Sequence, residues 1–177
     1  AIPEAELANS FGYQAGLLSL GAYKDDTEEE MLAHCARVAE VVPVIGFYLQ
    51  PSVGGRLLDY SFWRKFAEIP NVIAIKMAPF NRYQTIDVVR AIAESGRDDI
   101  ILYTGNDDSI VVDLFTPFTF DSNGKKVTRR IEGGLLGHWG VWTQASVKLL
   151  EDIKAARESS TIDKQWLDTA IAVTDMN

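Results

Sequence analysis

Short apolar runs recur along the chain at a fixed interval. Ala15-Gly16-Leu17-Leu18-Ser19-Leu20, Val42-Pro43-Val44-Ile45-Gly46-Phe47-Tyr48, Asn71-Val72-Ile73-Ala74-Ile75-Lys76 and Asp99-Ile100-Ile101-Leu102-Tyr103-Thr104 end at positions 20, 48, 76 and 104, a step of 28 residues. The runs are nearly continuous rather than alternating, the pattern of strands buried on both faces of a parallel sheet. Helical spacing fills the intervals. Thr27 ahead of Glu28, Glu29 and Glu30 is an N-cap with an acidic first turn, and Met31, Cys35, Val38 and Ala39 form one stripe behind it. Asp59 through Ala67 brings Phe62, Trp63 and Phe66 to one side, Thr85 is the expected cap of a helix from Ile86 to Glu94, and Gly96 closes it. Asp108 to Phe115 predicts another short helix.

The fifth unit is longer. Ser122-Asn123-Gly124 between β-prone residues predicts a hairpin turn within Phe118 to Arg130. Gly133 to Gly137 reads as one more strand, followed by helices from Thr143 to about Arg157 and from Ile162 to Val173. Strand–helix repeats of this kind give an α/β protein with a parallel sheet and right-handed crossovers. Two architectures satisfy that pattern, an open doubly wound sheet and part of a (β/α)8 TIM barrel. The first lacks its glycine-rich nucleotide turn here, and equal units favour the second. Five units cannot close eight strands, so the sheet is either a truncated barrel or one closed by a partner. A chain that opens at Ala1 inside a helix and stops at Asn177 without a cap reads as a segment of something longer.

Composition narrows the classes of partner. A net charge of −8 opposes binding to nucleic acid or to an anionic membrane surface. No apolar run approaches the roughly 18 residues that cross a bilayer. The single Cys35 excludes an internal disulfide framework and fits a reducing cytoplasm.

In barrels the reacting groups project from the C-terminal ends of strands, and the repeat puts Leu20, Tyr48, Lys76 and Thr104 there. Lys76 stands out because it ends an apolar strand and precedes Met77-Ala78-Pro79-Phe80. Poor solvation lowers an ammonium pKa and makes a nucleophilic amine accessible; a lysine snorkelling to solvent or pairing with Asp107 fits the same position. Tyr48 ends the preceding strand, where a phenol facing the same mouth can shuttle protons, or simply pack. Thr104-Gly105-Asn106-Asp107-Asp108 supplies a tight turn with polar groups that bind substrate or cap the next helix. Gly133, Gly134 and Gly137 allow a close backbone approach by ligand or neighbouring strand. His34 is expected at a helix surface, His138 lacks a partner, and Trp63, Trp139, Trp142 and Trp166 read as packing residues.

Together, Val42 to Pro51, Ile73 to Lys76 and Tyr103 to Asp108 resemble the fifth, sixth and seventh strands of the dihydrodipicolinate synthase / N-acetylneuraminate lyase family. Ala15 to Leu20 then takes the place of the fourth strand and Gly133 to Gly137 that of the eighth. The resemblance implies a partial TIM-barrel catalytic domain over residues 1–157 and the start of a C-terminal helical region over 158–177. It also implies class I aldolase chemistry, a lyase or synthase reaction in which Lys76 forms a Schiff base with pyruvate or a related 2-oxo acid. By the same resemblance Tyr48 relays protons, Gly105, Asn106 and Asp107 touch the variable part of the substrate, and Leu135 brings a backbone carbonyl to the oxo acid. The imine is the electron sink, so neither a metal nor an organic cofactor is implied. The expected partners are the oxo acid, an aldehyde or sugar acid, and further copies in a dimer or tetramer. A sugar-acid dehydratase would use the same lysine, and a non-catalytic half-barrel would keep the scaffold alone.

Departures from the family pattern bear on substrate. Tyr48-Leu49-Gln50-Pro51 stands where Tyr-Asn-x-Pro is usual, and Met77 follows Lys76 in place of Glu. Lys24 falls where a relay tyrosine is common, and the family's first three strands, with their carboxylate-binding loop, have no counterpart in the sequence.

Overall fold

A computed structural model describes residues 1–159 and 161–177. Helix α1 (Ile2–Ser10) precedes strand β1 (Gly16–Ser19), α2 (Glu28–Ala39), β2 (Val44–Leu49), α3 (Tyr60–Phe66), β3 (Val72–Ala78), α4 (Arg82–Ser95) and β4 (Ile101–Thr104). Then come α5 (Ile110–Phe115), the hairpin β5 (Phe118–Ser122) and β6 (Lys125–Arg129), β7 (Gly133–Gly134), and α6 (Gly137–Val141), α7 (Thr143–Ala156) and α8 (Lys164–Met176). Strands β1-β2-β3-β4-β7 pair in that order, all parallel, as an arc of five.

Local sequence accounts for most boundaries. Thr27 closes a capping box, its hydroxyl accepting from Glu30 N at 3.2 Å while Glu30 accepts from Thr27 N at 2.8 Å. Asp59 caps α3 through Phe62 N at 3.0 Å. The cap of α4 differs from expectation: Asn81 accepts from Tyr83 N and Gln84 N, so the helix starts at Arg82 and Thr85 is buried inside it. Asn81 follows Phe80 in the left-handed region (φ 51°), where the loop from β3 turns back on itself. Gly96 ends α4 with φ 75°, and Asn123-Gly124, both at positive φ, make the hairpin turn. The last strand is shorter than the sequence suggests, because Leu136 already caps α6.

The two sheet faces differ in cover. Against the helices lie Leu18, Val44, Tyr48, Ile75, Met77 and Leu102, all buried with Phe62, Trp63 and Phe66 of α3. Gly46 is fixed by that packing, since a Cβ there would sit 2.8 Å from the Phe66 ring. On the other face Leu17, Ile73 and Ile101 stay exposed, the concave side that a closed barrel would fill. His34 is buried rather than on the surface, its ring 4.7 Å from that of Tyr23, and burial lowers its pKa. Trp63 and Trp166 pack as expected, whereas Trp142 is largely exposed. Helix α8 joins the same core through Ala170 and Val173, and its Thr174 hydroxyl donates to Asp108 O at 2.6 Å. Among the described residues no helix is long and apolar enough to cross a membrane.

Candidate active site

Lys76 stands near the end of β3 with its backbone paired to Phe47 on β2 and Tyr103 on β4. Paired residues of a parallel ladder point to the same face, so these three side chains share the concave side. The amine lies 4.3 Å from the centroid of the Phe47 ring. Burial lowers its pKa, and the negative charge of Asp107 opposes that shift. Among the described residues no carboxylate lies within ion-pair distance of the Lys76 nitrogen. Asp107 does not close on the lysine: one of its oxygens accepts from His138 N at 3.1 Å, tying the loop after β4 to the start of α6.

Gly105 follows from the lysine's position. A Cβ there would lie 2.8 Å from Ala78 Cβ and 3.0 Å from Lys76 Cε, so only glycine lets the chain pass. Its N–H donates to Met77 O at 2.6 Å, carrying the ladder one step past β4. Leu135 sits at the same end, its N–H donating to Thr104 O at 2.9 Å, with its side chain exposed.

Tyr48 lies elsewhere than beside the lysine. It pairs with Met77, not Lys76, and points to the helix side, where it is wholly buried with its ring 5.3 Å from that of Trp63. Its hydroxyl accepts from Leu58 N at 3.3 Å, and burial raises its pKa. The side chain beside the lysine is Phe47, one residue earlier.

Asn106 also plays a different part from the expected one. Its side chain accepts from Phe80 N at 2.9 Å and donates to Thr85 Oγ1 at 3.1 Å and Asp113 Oδ2 at 3.2 Å. Asp113 is fully buried, accepts from Thr104 Oγ1 at 2.6 Å and pairs with Arg82. Asn106 therefore braces the loop after β3 against that after β4, and its amide is used up in doing so. A second brace is Arg56, which donates to Tyr23 O and Asp26 O at 2.6 and 2.7 Å and holds the loop after β1. Lys24 on that loop is exposed. Neither the Arg82–Asp113–Asn106 network nor Arg56 carries a sequence signature, since Arg82 is 31 residues from Asp113 and Arg56 is 33 and 30 residues from Tyr23 and Asp26.

A hollow of about 770 Å³ lies between α2 and α3 near Pro70 and Asn71, at the opposite end of the strands. Among the described residues no three His, Cys, Asp or Glu side chains gather as a metal site.

A parallel arc of five strands in βα units, with a lysine at a strand end, defines part of a (β/α)8 barrel. The Dihydrodipicolinate synthetase family profile matches residues 1–116, and the chain belongs to that family. It is 31% identical over 111 residues to a 4-hydroxy-tetrahydrodipicolinate synthase of Thiobacillus denitrificans, covering 62% of this chain and 36% of that protein. A Clostridium novyi synthase is 30% identical over 112 residues, with 63% and 36% covered. In fold, the chain is similar to a dihydrodipicolinate synthase of Acinetobacter baumannii complexed with pyruvate (TM-score 0.74, 20% identity, 99% of this chain and 53% of that one). A 2-keto-3-deoxygluconate aldolase of Sulfolobus solfataricus gives 0.63 at 17% identity, with 99% and 50% covered. The chain thus spans about a third of the curated relatives and about half of the solved structures.

Proposed function

We propose that the protein is a class I aldolase-type lyase or synthase that forms a Schiff base between Lys76 and pyruvate or a related 2-oxo acid. The observation that carries this reading is the setting of Lys76: an amine at the C-terminal end of a barrel strand, lowered in pKa by burial and free of any ion pair among the described residues. A neutral amine attacks a ketone; a paired ammonium does not. The family supports the chemistry, and the pyruvate of the Acinetobacter complex suggests the class of donor.

Gly105 gives the lysine room, while Asp107 keeps a negative charge near it without neutralising it by contact. Leu135 lies where a backbone carbonyl meets the oxo acid. The acceptor aldehyde contacts the variable loops at this end, and copies of the chain associate as a dimer or tetramer in the cytoplasm. The experiment is intact-mass analysis after borohydride reduction with pyruvate. The parent protein should gain one reduced pyruvyl group and Lys76→Ala none; an equal gain in both would sink the assignment.

A further inference from the structure

Resting on that reading of Lys76, we infer that Asp113 of α5 is a positioning residue for the lysine, holding the turn Thr104-Gly105-Asn106 against its side chain. The strand of Lys76 meets Gly105 twice. The Gly105 N–H donates to Met77 O at 2.6 Å, one residue past the lysine, and a Cβ at 105 would lie 3.0 Å from Lys76 Cε. Glycine has no side chain to anchor it and the widest backbone freedom of any residue. The wall beside the lysine therefore stays in place only while the residues on either side of it are pinned.

Asp113 pins both. Its Oδ2 accepts from Thr104 Oγ1 at 2.6 Å and from Asn106 Nδ2 at 3.2 Å, and the Thr104 hydroxyl also accepts from Asn106 N at 3.1 Å. Its other oxygen pairs with Arg82 at the start of α4, whose guanidinium also donates to Thr116 Oγ1 at 3.3 Å and lies 5.0 Å from the centre of the Phe118 ring. Asn106 passes the restraint to the lysine's own strand, since its Oδ1 accepts from Phe80 N at 2.9 Å. Phe80 has a left-handed backbone (φ 51°), a conformation that a bulky residue keeps only where its surroundings over-determine it. Asp113, Thr104 and Asn106 are all buried, so water does not compete for these bonds.

Thr104 pairs with Met77 and faces the helix side, so Asp113 acts from behind the sheet. The charge that bears on Lys76 is that of Asp107, and the charge facing Asp113 is that of Arg82. What Asp113 contributes is an acceptor with two faces. A carboxylate only accepts, whereas an amide in its place turns an NH2 either on Arg82 or on Thr104 and Asn106. One anchor is then lost and the turn loosens. Water reaches the amine, and its pKa climbs back towards that of a free lysine.

The test is the rate of borohydride trapping of Lys76 with pyruvate across pH, alongside denaturant unfolding. Asp113→Asn should trap about tenfold more slowly at pH 7, because its rising limb moves up by about one pH unit. Thr104→Val removes one hydroxyl of the clamp and should move the limb the same way by less, while Thr104→Ser should leave it at the parent position. These two decide the matter if Asp113→Asn does not fold. Val111→Ala, at a buried position of α5 outside this set of bonds, should lose stability and leave the limb in place. A limb that stays put in Asp113→Asn and Thr104→Val would overturn the role of Asp113 and leave Lys76 intact. So would a limb that falls in Asp113→Asn, the sign of a charge acting through space, or one that Val111→Ala moves as far. No adduct in the parent protein would overturn both the Lys76 reading and this one.

Discussion

The Lys76 nitrogen sits 4.3 Å from the centre of the Phe47 ring, on paired positions of adjacent strands. An aromatic face stabilises an ammonium by about 0.5–2 kcal/mol, so Phe47 and Asp107 both hold the proton on while burial pulls it off. Burial outweighs the Asp107 charge, since the net shift is downward. The rising limb of the trapping rate against pH should therefore lie below the range of a free lysine, about 10.4. Asp107→Asn removes the charge yet keeps an oxygen for His138 N, and should move that limb to lower pH. Phe47→Leu should move it the same way. A limb that rises in either variant would contradict this balance of forces.

Tyr48→Phe separates packing from catalysis. The variant loses a buried hydrogen bond from Leu58 N and should cost about 1–2 kcal/mol in denaturant unfolding. Turnover should stay within a few-fold of the parent. A loss of 10²-fold or more at unchanged stability would return the relay to Tyr48.

The repeat, the parallel sheet, the two glycine turns and the position of Lys76 were legible in the sequence because each rests on local spacing or on one residue's conformational needs. The facing of Tyr48 was not, because side-chain facing flips with a single step of register. The hydrogen bonds of Asn106 were not legible either. Its ligands are Phe80, Thr85 and Asp113, which only the folded loops bring together.

Gly105→Ala should impair the site more than the fold. Its Cβ meets Ala78 and Lys76 Cε, so the lysine must shift. Overpacking of this kind costs about 1–3 kcal/mol, while the trapping rate should fall tenfold or more. A variant that traps at the parent rate would show that the lysine tolerates the displacement.

The loop brace predicts an order among substitutions at one position. Asn106→Ala leaves Phe80 N without its acceptor and should cost about 1–3 kcal/mol. Asn106→Asp keeps that acceptor but sets a second carboxylate against buried Asp113, and should be the less stable of the two at neutral pH. Acidification should narrow the gap as one of the pair takes up a proton. Equal melting temperatures across pH would mean that Asp113 does not feel position 106.

The most direct measurement is peptide mapping of the borohydride-reduced protein after incubation with pyruvate. The account predicts a single modified peptide, the one carrying Lys76, with every other lysine unchanged. Modification of a different lysine, or none in a folded sample, would contradict it.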